Sequence, residues 1–307
     1  MSDQETNAAS AMTGQGRPDP QAPPVPRRRG GLPSRRQLLG GSAAALLGAG
    51  LTLGAEQAYA GATRDRPLPF YGGHASAVHA GRRTPPRSAA VQTIWGVDTA
   101  KKLIALTFDD GPRPNWTPEV LSILHRTGTR ATFFMVGVNA RDHGHLVAGR
   151  LADHEVGNHT WAHRDLAKLD YRQSRSALTR AHEQLTRLWG REPTLFRPPY
   201  GHIAGSSLLA ANELGYRVVL WNRQMLESDY RSDPSGLVSY VVESCTPGTI
   251  LLAHDTGPDD RLVAIRGLAR MIEGLRARGF EFVTVSELLA EADQEREWER
   301  RPSAGPQ

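Results

Sequence analysis

Residues 103–136 read LIALTFDDGPRPNWTPEVLSILHRTGTRATFFMV, and this stretch decides the fold. Leu103–Phe108 is an apolar run that reads as a strand. Thr117-Pro118-Glu119 then opens a helix with a hydroxyl at the N-cap, a proline at the first helical position and an early acid. Gly128 ends that helix, and Ala131–Val136 is a second strand. The alternation continues outward. Further helices fit about 143–152, 170–189, 206–214, 234–244 and 261–278, and further strands fit about 155–157, 195–196, 216–221, 249–253 and 281–284. Gly190, Gly215 and Gly279 stand just after helices, where a left-handed cap is wanted. Strands and helices alternating in this way indicate a parallel sheet with helical cover, an α/β fold. In such folds the chemistry sits at the carboxyl ends of the strands.

Four clusters lie at those ends. The first strand runs into Thr107-Phe108-Asp109-Asp110-Gly111-Pro112, where one carboxylate can hold a metal and the other take a proton. Taken alone, Asp-Gly reads as a surface turn. His159-Thr160-Trp161-Ala162-His163 sets two imidazoles four residues apart, on one face if the segment is helical. A bare H-x-x-x-H arises readily by chance among eleven histidines. Joined to a strand-end Asp, it becomes a two-His, one-carboxylate set with open coordination positions. In Arg197-Pro198-Pro199-Tyr200-Gly201 the two prolines remove two donors, so the Tyr200 N–H is the next one available to an oxyanion. Arg197 can pair with a carboxylate and hold it ionised, although a proline-stiffened corner explains the same residues. Finally, Thr249–Asp255 delivers His254 to a strand end, within reach of a leaving group. One such cluster is weak. Four in one alternating domain are hard to assign to chance.

The chain ends carry a different message. Residues 1–36 are polar and rich in Pro, Gly and Arg, and a run of Leu, Ala and Gly from Leu38 to Ala55 leads to Ala58-Tyr59-Ala60. That order matches a secretory signal peptide over 1–60, and Ser34-Arg35-Arg36-Gln37-Leu38-Leu39 resembles the twin-arginine export signal. A transmembrane anchor is disfavoured by the small residues that interrupt the run. Residues 61–100 read as a flexible arm, 101–290 as the folded domain, and 291–307 as a frayed helix end and polar tail. The whole chain has 37 Lys+Arg and 32 Asp+Glu, a formal charge of +5. Without residues 1–60, which hold six Arg and four acids, 31 basic and 28 acidic residues remain, a charge of +3. No basic helix with interleaved aromatics appears, which argues against a nucleic-acid partner. The one cysteine, Cys245, excludes an intramolecular disulfide framework and a multi-thiolate zinc site.

In order and rough spacing, Thr107–Asp110, His159–His163, Arg197–Tyr200 and Leu252–Asp255 resemble the signature elements of the polysaccharide deacetylase family, the NodB-homology carbohydrate esterases. The resemblance covers about residues 101–290. It implies a distorted (β/α) barrel with about seven parallel strands. It further implies a divalent metal, zinc before cobalt or another ion, on Asp110, His159 and His163. Asp109 would be the general base, adjusted by Arg197; Tyr200 would give the oxyanion N–H and His254 would be the general acid. Leu252 would line the acetyl pocket, and Trp221 would border the sugar. One element departs from the family pattern: Trp221–Tyr230 has Tyr where a second Trp is usual and is about two residues longer. Asp229 is the candidate support for His254 there, with Glu227 as competitor. Export favours an extracellular polymer, peptidoglycan first and chitin-type oligomers second, with the membrane met only in transit. Two rival readings remain: an O-acetyl esterase on xylan-like polysaccharide, and a wall-binding protein without turnover. His202 follows Tyr200 closely enough to border the cleft, whereas His143 and His145 read as a solvated decoy pair.

Overall fold

The structure, a computed structural model, describes residues 90–300 apart from Asn115, so the export signal and most of the arm lie outside the described residues. Among the described residues, nine strands form one parallel sheet: β1 (Thr93–Ile94), β2 (Leu103–Asp109), β3 (Thr132–Met135), β4 (Glu155–Asn158), β5 (Leu195–Phe196), β6 (Arg217–Val219), β7 (Arg223–Gln224), β8 (Thr249–His254) and β9 (Glu281–Val283). Their order is β1-β6-β5-β4-β3-β2-β8-β7, with β9 also pairing β2, and the sheet curls into a partial barrel. The helices are α1 (Trp116–Thr127), α2 (Gly137–His143), α3 (Tyr171–Trp189), α4 (Gly205–Glu213), α5 (Pro234–Ser244), α6 (Leu262–Ala277) and α7 (Val285–Arg300).

All seven strands expected from the sequence are present, and the two extra ones, β1 and β7, are two residues long and stand at the ends of the strand order. Thr93 and Ile94 fall within the stretch read as a flexible arm, yet they pair with Val218 and Val219. Residues 291–300 continue α7, in keeping with a helix end ahead of the polar tail. The expected helix over 143–152 is a correction. It forms earlier, as α2, directly after β3. Gly137 lets the chain start there, since a Cβ would meet Trp161 Cε3 at 2.7 Å and the Ala181 backbone at 3.0 Å.

β2 is buried along its whole length and pairs with β3, β8 and β9. Its alternation separates two cores. Ile104, Leu106 and Phe108 pack with α1 and α6 residues such as Leu121, Leu124, Leu268 and Ile272. Leu103 and Ala105 join Phe134, Leu195, Val219, Ile250 and the α7 residues Val285, Leu288 and Leu289. Each such fully buried aliphatic or aromatic side chain stabilises by about 1.5–3 kcal/mol. Strand parity therefore puts Asp109 on the second face, in line with Leu103, Ala105 and Thr107. The same parity aligns Arg197 with Leu195, and His254 with Ile250 and Leu252. Hydrophobic alternation lower in the strands thus aims three polar side chains into one mouth.

Candidate active site

Register brings the strand ends together: Asp109 is the Cα partner of His254 on one side and of Phe134 on the other. Arg197, fully buried, donates from Nη1 to Asp109 Oδ1 at 2.7 Å and to Thr107 Oγ1 at 2.8 Å. Its Nε and Nη2 donate to the Val219 and Leu220 carbonyls, and its guanidinium lies 4.1 Å over the Phe134 ring. Every face of the guanidinium is thus spoken for, the condition under which a charge tolerates burial. Burial lowers the Arg197 pKa, and Asp109 partly restores it.

By alternation Asp110 would point away from Asp109. Its φ of 79° turns it back instead, and Asn139 Nδ2 fastens its carbonyl at 2.7 Å. Asp110 Oδ1 then lies 3.0 Å from His163 Nε2 and 3.4 Å from His159 Nε2. The two imidazoles do not reach this place from a helix, as the four-residue spacing suggested. Residues 160–163 form a turn, with positive φ at Thr160 and His163. Asn158 Oδ1 accepts from the Thr160 N–H, Thr160 Oγ1 accepts from the His163 N–H, and the Thr160 and Trp161 carbonyls accept from Gly137 and Val138.

These atoms fit a divalent cation. His159 Nδ1 lies 2.7 Å from the Arg197 carbonyl, which can only accept, so Nδ1 carries the proton and Nε2 keeps its lone pair for a metal. Asp110 Oδ1 is buried without a hydrogen-bond partner and faces that nitrogen. Asp110, His159 and His163 each offer one ligand atom, all within 4.8 Å of one another. Burial pushes the Asp110 carboxyl up, but the adjoining imidazoles prevail and hold it far below the usual carboxylate range. Burial likewise lowers His159, and Asp109 and Asp110 outweigh it and raise the imidazole. A cation and a proton therefore compete for the same nitrogen.

Tyr200 has a φ of 62°, and its exposed ring lies edge-on to His163, with centroids 4.8 Å apart. Gly201 and His202 spend their N–H groups on the Pro198 and Pro199 carbonyls, and the Arg197 carbonyl accepts from His159, while the Tyr200 N–H makes no hydrogen bond among the described residues. All four non-glycine residues with positive φ among the described residues, Asp110, Thr160, His163 and Tyr200, belong to this site. Such conformations each cost on the order of 1 kcal/mol or more and persist only where the surroundings enforce them.

On the far side, His254 Nδ1 lies 3.3 Å from Glu227 Oε1. This corrects the choice of Asp229. Asp229 is exposed, with its N–H closing a turn on the Leu226 carbonyl, whereas Glu227 is buried and meets the imidazole. Leu252 is buried one step below His254, and Trp221 is half-buried under Gly201, 5.7 Å from the Arg197 guanidinium. His202 reaches only the rim, stacked near Tyr200 and 3.2 Å from Asp165. His143 and His145 join no ligand group, and Cys245 is a buried thiol whose pKa burial pushes up to about 11.

Two residues were not foreseen. Arg261 Nη1 lies 3.1 Å from Asp110 Oδ2 and 2.9 Å from the Thr256 carbonyl. Seven positions past His254, after a Gly-Pro turn, it carries no pattern that sequence could signal. Asp255, beside His254, turns to the other face, where Thr117 Oγ1 donates to its Oδ2 at 2.6 Å.

The comparisons agree with this geometry. The sequence model of the polysaccharide deacetylase family matches residues 96–219. A peptidoglycan-N-acetylglucosamine deacetylase of Bacillus cereus is 38% identical over 197 residues, 64% of this chain and 92% of that protein. A chitooligosaccharide deacetylase of Sinorhizobium fredii is 33% identical, over 64% of this chain and 93% of that protein. Among solved structures, the Bc1960 peptidoglycan N-acetylglucosamine deacetylase superposes with a TM-score of 0.60 at 31% identity, covering 64% of this chain and 92% of that one. With relatives alike over nearly their whole lengths and four motifs gathered at one barrel mouth, the chain belongs to the polysaccharide deacetylase family.

Proposed function

We propose that the protein is a metal-dependent enzyme that removes N-acetyl groups from an amino-sugar polysaccharide outside the cytoplasm, peptidoglycan before chitin. The observation that supports it most is the meeting of three groups at one mouth: the Asp110–His159–His163 ligand set, the Asp109–Arg197 pair and the His254–Glu227 pair. Zinc is the proposed ion, since one carboxylate and two imidazoles suit it. A cation bound there supplies Lewis acidity toward the acetyl carbonyl and eases deprotonation of water.

The chain's own groups do the rest. Asp109 Oδ2 faces the mouth while Oδ1 is tied to Arg197, so one oxygen is positioned and the other can take the proton of water. The Tyr200 N–H lies where the carbonyl oxygen gathers negative charge, and it needs no reorganisation to donate. His254, with Nδ1 held by Glu227, presents Nε2 to protonate the departing amine. An amide needs that proton because an amine anion leaves poorly. Leu252 packs against the acetyl methyl, and Trp221 supports the floor beneath Gly201. Residues 1–60 are proposed to act as a cleaved export signal of the twin-arginine type, which places the catalyst beside wall polymer.

The deciding experiment strips the purified protein of metal, reloads it with zinc, and follows acetyl loss by mass spectrometry. The substrates are peptidoglycan fragments, chitooligosaccharides and acetylated xylan. Metal-dependent loss from an amino sugar supports the proposal. Loss from xylan alone replaces it with an O-acetyl esterase, and folded, metal-loaded protein inert on all three points to a binding protein.

A further inference from the structure

The turn that separates the two ligand histidines has a second face. Thr160, Trp161 and Ala162 form one wall of a cavity of about 320 Å³, whose other walls include Arg164, Arg172 and Arg180. The lining holds three guanidinium groups and no carboxylate. Arg180 lies 4.2 Å over the Trp161 ring, and Arg141 lies 5.6 Å from the same ring. Arg141 is neutralised by Asp142, through contacts of 2.6 and 3.0 Å. Arg164 and Arg180 are exposed, and neither makes an ion pair among the described residues. Two acids close in sequence are engaged elsewhere: Asp170 caps α3 through the Gln173 N–H, and Asp165 accepts from the Ala167 N–H and contacts His202. Gln173 and Ser176 add polar groups to the lining. Arg164 and Arg180, two guanidinium groups outside any ion pair and set beside an indole, suit a planar anion that accepts from two forks.

We propose that this cavity binds a carboxylate carried by the polymer beside the sugar being deacetylated. The inference rests on the deacetylase reading and narrows its substrate class. Peptidoglycan strands bear acidic peptides on alternate sugars, whereas chitin is uncharged along its length. A carboxylate held here lies against the backbone of residues 160–162, the segment that spaces His159 from His163, so an acidic strand gains a contact that a neutral one lacks. Arg164 and Arg180 are specificity-determining residues. They do not touch the reacting atoms.

The test compares the zinc-loaded enzyme with Arg164→Ala/Arg180→Ala and with Arg164→Lys/Arg180→Lys. Three substrates are used: a soluble peptide-bearing peptidoglycan fragment, the same fragment with its carboxylates converted to primary amides, and a chitooligosaccharide of equal length. The wild type is expected to favour the acidic fragment over the amidated one in kcat/KM by about tenfold at low salt. That preference shrinks as salt rises, falls to near unity in the double alanine variant, and survives in part in the lysine variant. An unchanged preference in the alanine variant overturns the proposal, and so does an equal loss on all three substrates, which would mark a disturbed 160–163 turn. Calorimetric titration of the acidic fragment reads the cavity separately from turnover. If the wild type deacetylates nothing, the function reading fails, yet weaker binding by the alanine variant still supports the cavity. Equal or absent binding in both proteins overturns it.

Discussion

Glu227 sits against His254, while Asp229, two positions away, faces solvent. Strand and turn directions decided between two acids that look equivalent in sequence, and kinetics can check the result. Glu227→Gln is expected to lower N-deacetylation about tenfold to hundredfold, because the imidazole loses the carboxylate that holds Nδ1 and aims Nε2 at the leaving group. Asp229→Asn is expected to stay within about twofold. Cleavage of an activated acetyl ester, whose leaving group needs no proton, should fall less than amide cleavage in Glu227→Gln. Equal losses on both substrates would assign Glu227 a structural role only. Arg197→Ala is a different experiment. It leaves Asp109 buried without its partner, and removing one member of a buried pair costs about 3–5 kcal/mol. Its main effect should appear in urea denaturation.

Asp255 ties three elements, since it directly follows β8, meets α1 through Thr117 and packs against Gly111 after β2, where a Cβ would come within 2.2 Å of its Oδ2. Burial raises its pKa to about 7. An acid raised in the folded state favours folding while it is protonated, so this stability is fully present below about pH 4 and is lost as pH rises through 7. The span corresponds to on the order of 4 kcal/mol. Asp255→Asn should flatten that part of the stability profile in urea melts taken from pH 4 to 8; an unaltered slope would show that another group sets it. Elements of this kind differ in how far their sequences reveal them. Strands β2 to β6, β8 and β9 were legible because apolar runs and terminal glycines mark them, and α5 was legible residue for residue at Pro234–Ser244. The start of α2 was hidden, because it depends on Gly137 accepting Trp161 and Ala181 from distant segments. Asp110, His159 and His163 were legible as motifs, but the four-residue spacing of the histidines suits a helix as well as the Thr160–His163 turn that joins them, and sequence does not choose between the two. Arg261 was not legible at all, since its reach to Asp110 depends on the path of a loop.

Across the whole molecule, folding and metal binding are expected to be coupled. A cation that binds only the folded chain at about a hundred times its Kd adds about 2.7 kcal/mol. For a domain of this size that raises Tm by roughly 5–10 °C. Chelation should remove the increment and zinc should restore it, with the gain shrinking at acid pH as His159 keeps its proton; scanning calorimetry reads both. At the opposite end of the barrel, Leu288 on α7 is fully buried in the core beneath the site. Leu288→Ala should cost about 2–5 kcal/mol while leaving the turnover of folded enzyme close to wild type, so stability and catalysis are separable at that end. They are not separable at the mouth, where Asp110, Thr160, His163 and Tyr200 all hold a backbone conformation that glycine adopts without penalty. A mutant library screened for heat resistance alone should therefore collect glycines at these four positions. The hardiest survivors of such a screen would be the least able to deacetylate, because the tension in this backbone was retained for chemistry and is surrendered once chemistry goes unscored.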